Sequence, residues 1–168
     1  MADPGALLEP LIPSLRRYAY ALLRDHDAAD DLVQDTLERA LSRWYLRRDG
    51  GDLRAWLFTI QRNLHINAYR GGRRRGVHVP LDRAPLPGVA AVQESGLEMQ
   101  DVLSALDQLP EEQKSLLLLV GIEDFSYEAA ARILDVPLGT VMSRLSRARQ
   151  KLRSILEMGR ATLLRREK

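Results

Sequence analysis

The sequence predicts an all-α protein of two small helical domains joined by a flexible linker, the second domain containing a helix-turn-helix. Three observations predict it. Apolar residues recur at helical spacing on both sides of the centre of the chain. Between them the stretch Gly71 to Gly96, GGRRRGVHVPLDRAPLPGVAAVQESG, holds three Pro and five Gly and no helical apolar period, a linker composition. Near the C-terminus a short alanine-rich helix, a tight turn and a basic helix follow one another. The 168 residues suffice for one ordinary domain or two very small ones. The expected division is residues 1–70, a linker at 71–96, and residues 97–168.

The first domain reads as three helices. Leu8, Leu11, Ile12, Leu15, Ala19, Leu22 and Leu23 form the first apolar face, with Pro10 and Pro13 making its start irregular. Asp25 or Asp27 can cap the second helix, whose face is Leu32, Val33, Thr36, Leu37, Ala40, Leu41 and Trp44. Gly50-Gly51 marks a turn, and Asp52 caps a third helix expected to run to about Arg70. It places Trp56, Leu57, Ile60 and Leu64 inside, and Gln61, Asn63, His65, Asn67, Tyr69 and Arg70 outside.

The second domain opens on a face of Val102, Leu103, Leu106 and Leu109. Pro110, Glu111 and Glu112 then start a helix, with Pro at its entry and acids in its first turn. The run SLLLLVGI, Ser115 to Ile122, fits a strand or a buried helix by periodicity. The preceding helix start and the flanking helices favour the helix. Ser126 caps Tyr127 to Leu134, Asp135-Val136-Pro137 makes a turn, and the last helix starts at Leu138 or Gly139 and continues to about Leu156 or beyond.

Composition removes whole classes of function. Hydrophobic residues are 45% and charged residues 29%, which suits a soluble globular chain. Without cysteine there is no disulfide, thiolate site or cysteine nucleophile. His26, His65 and His78 show no metal spacing, so no metal or cofactor is expected. No run of about 20 apolar residues is present to span a membrane. Met1 to Pro13 carries acid rather than base before its apolar residues, unlike a signal peptide, so a cytoplasmic location is expected. No cofactor loop or activated nucleophile accompanies the acids near His26, so neither an enzyme nor a small-molecule substrate is expected.

Charge is segregated along a chain of net charge only +2. Asp25 to Glu38 holds six acids and no Lys or Arg, and Arg54 to Gly76 holds six Arg and no acid. Glu98 to Glu128 holds eight acids against Lys114 alone, and Leu138 to Lys168 holds nine bases and two acids. A single charge of this kind is usually a solvated helix face. Two basic zones, one in each half, point instead to a polyanion touched at two places. The acidic zones suit a basic protein partner.

Tyr127 to Leu152, YEAAARILDVPLGTVMSRLSRARQKL, follows helix-turn-helix logic. Ala129, Ala130 and Ala131 permit close helix crossing, Val136 fills the turn, and Thr140 caps or begins the second helix. Val141, Leu145, Ala148 and Leu152 face inward, leaving Met142, Ser143, Ser146, Arg147 and Arg149 outward. Arg147 can pair bidentately with guanine, and Ser can meet a base or a phosphate. Arg144, Lys151 and Arg153 suit phosphates. In the other half, RAWLFTIQRNLHINAYR followed by GGRRR sets amides and aromatics beside Arg70, Arg73, Arg74 and Arg75. That composition suits unstacked or single-stranded bases.

Three segments, in this order, resemble one family, the extracytoplasmic-function (ECF) sigma factors of bacterial transcription initiation. DAADDLVQDTLERAL at 27–41 resembles the family's core-polymerase-binding helix. LRAWLFTIQRNLHINAYRGGRRR at 53–75 resembles its promoter-melting and −10-reading segment. The stretch 106–152 resembles its −35-reading domain. The resemblance implies a region 2-like domain at 1–70 and a region 4-like domain at 97–168. It implies core RNA polymerase, promoter DNA and an anti-sigma factor as partners. It places Asp31, Leu32, Gln34 and Asp35 on polymerase, and Asn63, Asn67, Arg70, Arg73, Arg74 and Arg75 at the −10 element. Thr140, Met142, Ser143, Arg144, Ser146, Arg147, Arg149 and Lys151 fall at the −35 element.

Two positions depart from the family pattern. Asp135 stands where the turn commonly has Gly, and Met142 where Lys or Arg is frequent. Two other functions remain open on sequence grounds: an autonomous helix-turn-helix regulator, and a sigma-like decoy that titrates an anti-sigma factor. The Trp/Asn/Arg segment argues against the first and the retained basic faces against the second.

Overall fold

The computed structural model describes residues 2–75 and 93–166, with side chains left out at 72–75, 93–97, 163, 164 and 166. Among the described residues every regular element is helical: α1 Pro4–Leu8, a 3-10 turn Glu9–Leu11, α2 Ile12–Leu23, α3 His26–Ser42, a 3-10 turn Trp44–Leu46, α4 Leu53–Arg75, α5 Gln93–Leu106, α6 Glu111–Leu117, a π-turn Leu118–Ile122, α7 Tyr127–Leu134 and α8 Leu138–Arg166. The chain divides into two compact units, Met1–Val89 and Ala90–Lys168. The expected linker falls mostly on 76–92, outside the described residues. Helix occupies 71–75 and 93–96, which the composition alone assigns to that linker. Three arginines follow Gly71-Gly72, and as good helix formers they carry the backbone ladder past two poor ones.

In the first unit the caps fall where the sequence puts them. Asp25 Oδ1 accepts from the Ala28 N–H at 2.9 Å and starts α3. Asp52 Oδ1 accepts from the Ala55 N–H at 3.0 Å and starts α4. Pro10 and Pro13 coincide with the break between α1 and α2. The core gathers Leu15, Tyr18, Ala19 and Tyr20 of α2, Ala29, Val33, Thr36 and Ala40 of α3, and Leu57 and Phe58 of α4. Tyr18 and Phe58 meet ring to ring at 5.2 Å. Thr36 enters this apolar layer because its hydroxyl donates to the Leu32 carbonyl of its own helix at 2.7 Å.

Three side chains lie elsewhere than the sequence pattern suggests. Gln61 and His65, expected outside, are buried, His65 at 4% exposure. The sealed stripe of α4 runs through Leu57, Phe58, Gln61 and His65, at helical spacing, with Trp56, Ile60 and Leu64 half-buried along its flank. Gln61 enters because its Nε2 donates to the Leu15 carbonyl on α2 at 2.8 Å. Leu41, expected inside, is 51% exposed. It follows Ala40, the last buried residue of α3, by one helical step of about 100° and so turns away from the core.

In the second unit, Leu103, Leu106, Leu109, Leu116, Leu118 and Leu119 are all buried, so the SLLLLVGI run is a buried helix that widens into a π-turn. Lys114 is buried and its Nζ bonds Asp107 Oδ1 at 2.7 Å, tying α6 to the turn after α5. Ser126 Oγ accepts from the Ala129 N–H at 3.1 Å and starts α7. At the end of α7, Asp135 adopts the left-handed conformation, φ 53° and ψ 52°. The Val136 N–H then reaches back to the Ala131 carbonyl at 3.1 Å, the long bond of a Schellman ending. Thr140 lies in the first turn of α8, its N–H on the Pro137 carbonyl at 3.0 Å.

Two predictions follow for stability. Gln61→Ala leaves a cavity and removes the bond to Leu15, and lowers the stability of the first unit by ~2–4 kcal/mol. Gln61→Leu keeps the volume and eliminates Oε1, which has no hydrogen-bond partner, so it costs less than ~1 kcal/mol. Both tryptophans, Trp44 and Trp56, lie in this unit, so urea titrations followed by their fluorescence separate the two variants; equal midpoints would refute the volume argument. Asp135→Gly relieves the left-handed strain by ~1 kcal/mol. Hydrogen exchange of the α7 and α8 amides should slow several-fold, and unchanged exchange would show that Asp135 is unstrained.

Candidate nucleic-acid and polymerase interfaces

Each candidate face is what remains of a helix once its buried stripe is spent. On α3 the inward residues are Ala29, Leu32, Val33, Thr36 and Ala40. Asp31, Gln34, Asp35 and Glu38 are left exposed on one side, with the Gln34 Nε2 donating to Glu38 Oε1 at 3.3 Å. Leu32, grouped with these acids by the resemblance, is only 8% exposed and belongs to the core. It supports the acidic face from below and presents little surface of its own.

On α4, Asn63, Asn67 and Arg70 are exposed and follow one another at helical spacing, opposite Gln61 and His65. Arg73, Arg74 and Arg75 continue the helix backbone; their side chains lie outside what is described. Tyr69 is exposed and its ring is tilted 39° to that of His65, ring centroids 6.2 Å apart.

Between α3 and α4 the sequence places only Trp44, on the second helix's apolar face, and the Gly50-Gly51 turn; in the structure α3 ends at Ser42 and Trp44 opens a 3-10 turn. Tyr45 and Leu46 stand out from the surface, while Trp44 packs edge-on to Trp56 at 6.1 Å. The Arg47 guanidinium lies 4.7 Å from the centre of the Trp44 ring. An exposed aromatic in a basic loop is a stacking surface of the kind unpaired bases use. Aromatic-plus-arginine spacing in RWYLRR was the available signal.

The helix-turn-helix presents the face that the periodicity predicts. Val141, Leu145 and Ala148 are fully buried, and Met142, Ser143, Ser146, Arg147, Arg149 and Lys151 are exposed. Thr140 is half-buried, and its carbonyl accepts from the Ser143 hydroxyl at 3.2 Å. Two arginines are held by neighbours. Arg149 Nη1 donates to the Tyr127 hydroxyl at 3.3 Å, and Arg144 lies 3.7 Å from Glu112 at the start of α6. Met142, Ser146, Arg149 and Tyr127 border a shallow cleft of about 350 Å³ on this face. Among the described residues no group of three or more His, Asp or Glu could hold a metal, and no helix is long and apolar enough to cross a membrane.

Comparison with known proteins matches both units. A family model described as the Sigma2 domain of PhyR covers residues 8–61, and one described as Sigma-70, region 4 covers residues 99–152. The ECF RNA polymerase sigma factor EcfG of Rhodopseudomonas palustris is 44% identical over 145 residues, 86% of this chain and 80% of that protein. SigL of Mycobacterium tuberculosis, also named an ECF RNA polymerase sigma factor, is 34% identical over 158 residues, 90% of this chain and 88% of that one. The sigma factor RpoE of Bartonella quintana, solved in complex with the anti-sigma factor NepR, is 37% identical and superposes with a TM-score of 0.77 over 91% of this chain and 96% of that one. With a region 4-type helix-turn-helix in one unit, a sigma2-type domain in the other, and relatives of this identity along most of its length, the chain belongs to the ECF RNA polymerase sigma factors.

Proposed function

We propose that this sigma factor directs core RNA polymerase to two-part promoters with the work divided among three helix faces. The exposed acids of α3, Asp31 and Asp35 with Gln34 between them, take a basic surface of polymerase, and the largely buried Leu32 holds their spacing. Asn63, Asn67 and Arg70 of α4, continued by Arg73, Arg74 and Arg75, hold the −10 element as it unpairs. Thr140, Met142, Ser143, Ser146, Arg147 and Arg149 of the helix-turn-helix dock in the −35 major groove, with Arg144 and Lys151 on the flanking phosphates. The expected domain division at 1–70, 71–96 and 97–168 gives each promoter element its own reader.

The observation that carries this reading is the presence of two separate candidate nucleic-acid faces, one in each unit. Exposed amides aligned with Arg70 on α4 suit unstacked bases, whose amide and aromatic contacts must offset an unstacking cost of a few kcal/mol. The helix-turn-helix face suits duplex DNA. A regulator acting alone on duplex DNA has no use for the first, and a decoy for an anti-sigma factor has no use for either. The sigma-factor relatives support the same choice.

We further infer an anti-sigma partner, on the strength of the RpoE and NepR complex, and a cytoplasmic site of action, where core polymerase and the chromosome are found.

Reconstituted transcription tests the whole. With core polymerase and a pool of genomic fragments, discrete start sites sharing a two-part upstream motif are expected. Polymerase binding without starts would favour the decoy; duplex binding without polymerase binding would favour the autonomous regulator. Asp31→Lys with Asp35→Lys should abolish polymerase binding and leave the helical circular-dichroism signal intact, and undiminished affinity would remove α3 from the polymerase interface. Arg147→Ala should cost ~1–3 kcal/mol and relax preference at one −35 base pair. Unchanged promoter selection by that variant would place the groove contact elsewhere.

A further inference from the structure

We propose that Met142 is a specificity-determining contact that reads the C5-methyl group of a thymine in the −35 major groove. The proposal rests on α8 being the −35 reader and deepens that assignment. Recognition helices meet base edges with their N-terminal residues. Met142 is the fifth residue of α8, which starts at Leu138.

The side chain is 54% exposed, while the inward positions of the same helix, Val141, Leu145 and Ala148, are sealed. Its exposed neighbours are polar: Ser143, Ser146 and Arg147. One turn earlier on the same side, Leu138 is 40% exposed. Two large apolar side chains spaced i and i+4 therefore form a short apolar strip on an otherwise polar and basic face. Met142 also borders the shallow cleft beside Ser146 and Arg149, where the Tyr127 hydroxyl accepts a bond from Arg149 and limits how that arginine can move.

Chemistry narrows what this strip can recognise. A thioether donates no hydrogen bond and is a weak acceptor, so Met142 gains little from guanine O6 or adenine N6. Of the four bases only thymine offers an apolar group in the major groove. An unbranched, polarizable side chain adapts well to a single methyl. The positive charge that Lys or Arg would add at this position is missing, and with it the bidentate preference for guanine. Burying one methyl group against Met142 favours thymine over the same pyrimidine without its methyl by about fourfold in affinity.

The test uses the full chain with core polymerase on a promoter where that holoenzyme initiates. Each −35 thymine, on either strand, is replaced singly by deoxyuridine, which removes the methyl and keeps the pairing. The proposal expects one or two positions where the wild type loses about fourfold and where Met142→Ala is indifferent to the change. Met142 is solvent-exposed, so this variant should keep its helical circular-dichroism signal. Deoxyuridine tolerated at every position by both proteins would overturn the proposal, as would a sensitivity that persists undiminished in Met142→Ala. Arg147→Ala, measured alongside, separates the two levels. If it weakens binding while no thymine methyl matters, the −35 assignment stands and the methionine contact falls. If Arg147→Ala and Met142→Ala both leave binding unchanged, the −35 assignment falls and the methionine contact with it.

Discussion

The sealing of Val141, Leu145 and Ala148 under α8 is the constraint on which the DNA-facing side of the molecule depends. A helix of this length has one rotational freedom about its own axis, and three fully buried side chains at helical spacing remove it. Ala129, Ala130 and Ala131 of α7 are all buried nearby, small enough for the helices to approach closely. Once the rotation is fixed, Met142, Ser143, Ser146 and Arg147 have nowhere to point but outward. The same logic orders the first unit, where the stripe through Leu57, Phe58, Gln61 and His65 decides that Asn63, Asn67 and Arg70 share the opposite side of α4.

Both units are small, and neither has a large apolar core to spend. Polar side chains therefore appear inside, each with a local role. Thr36 donates within its own helix, Gln61 donates through Nε2 to the Leu15 carbonyl across on α2 while its Oε1 stays unpaired, and Lys114 pairs with Asp107. A buried lysine left without its carboxylate would be strongly destabilising, so the Asp107 pairing fixes where α6 leaves the preceding turn. Side-chain caps fix four helix starts: Asp3 before α1, Asp25 before α3, Asp52 before α4 and Ser126 before α7.

Much of this was legible in the sequence because it depends on local rules. Asp25, Asp52 and Ser126 are cap residues by chemistry, and the outward set of α8 follows from counting residues around a helix. Gln61 and His65 were not legible, because polarity argues for the surface; the Leu15 carbonyl on another helix explains the interior place of Gln61, and no local rule places His65 there. Leu41 failed for the converse reason: it is apolar, but one residue past the last that α3 can bury. The π-turn at Leu118–Ile122 leaves no mark in an all-apolar run, since periodicity vanishes when every residue is hydrophobic. Leu32 shows a limit of motif transfer, because a residue of a matching segment can lie beneath the surface that the motif is expected to present.

The pairing of Arg144 with Glu112 has a consequence for ion release. In the free protein the guanidinium already has an anion 3.7 Å away, supplied by the start of α6. If a phosphate takes over Arg144, the DNA gives up a condensed cation, but Glu112 is left as an uncompensated carboxylate that draws a cation back from solution. The exchange is close to neutral in salt. The steepness of promoter binding against salt concentration therefore under-represents the number of phosphates touched, because slopes of this kind count net ions released and not contacts made. An arginine held in reserve by an internal acid can position the helix on DNA and yet be invisible to a salt titration.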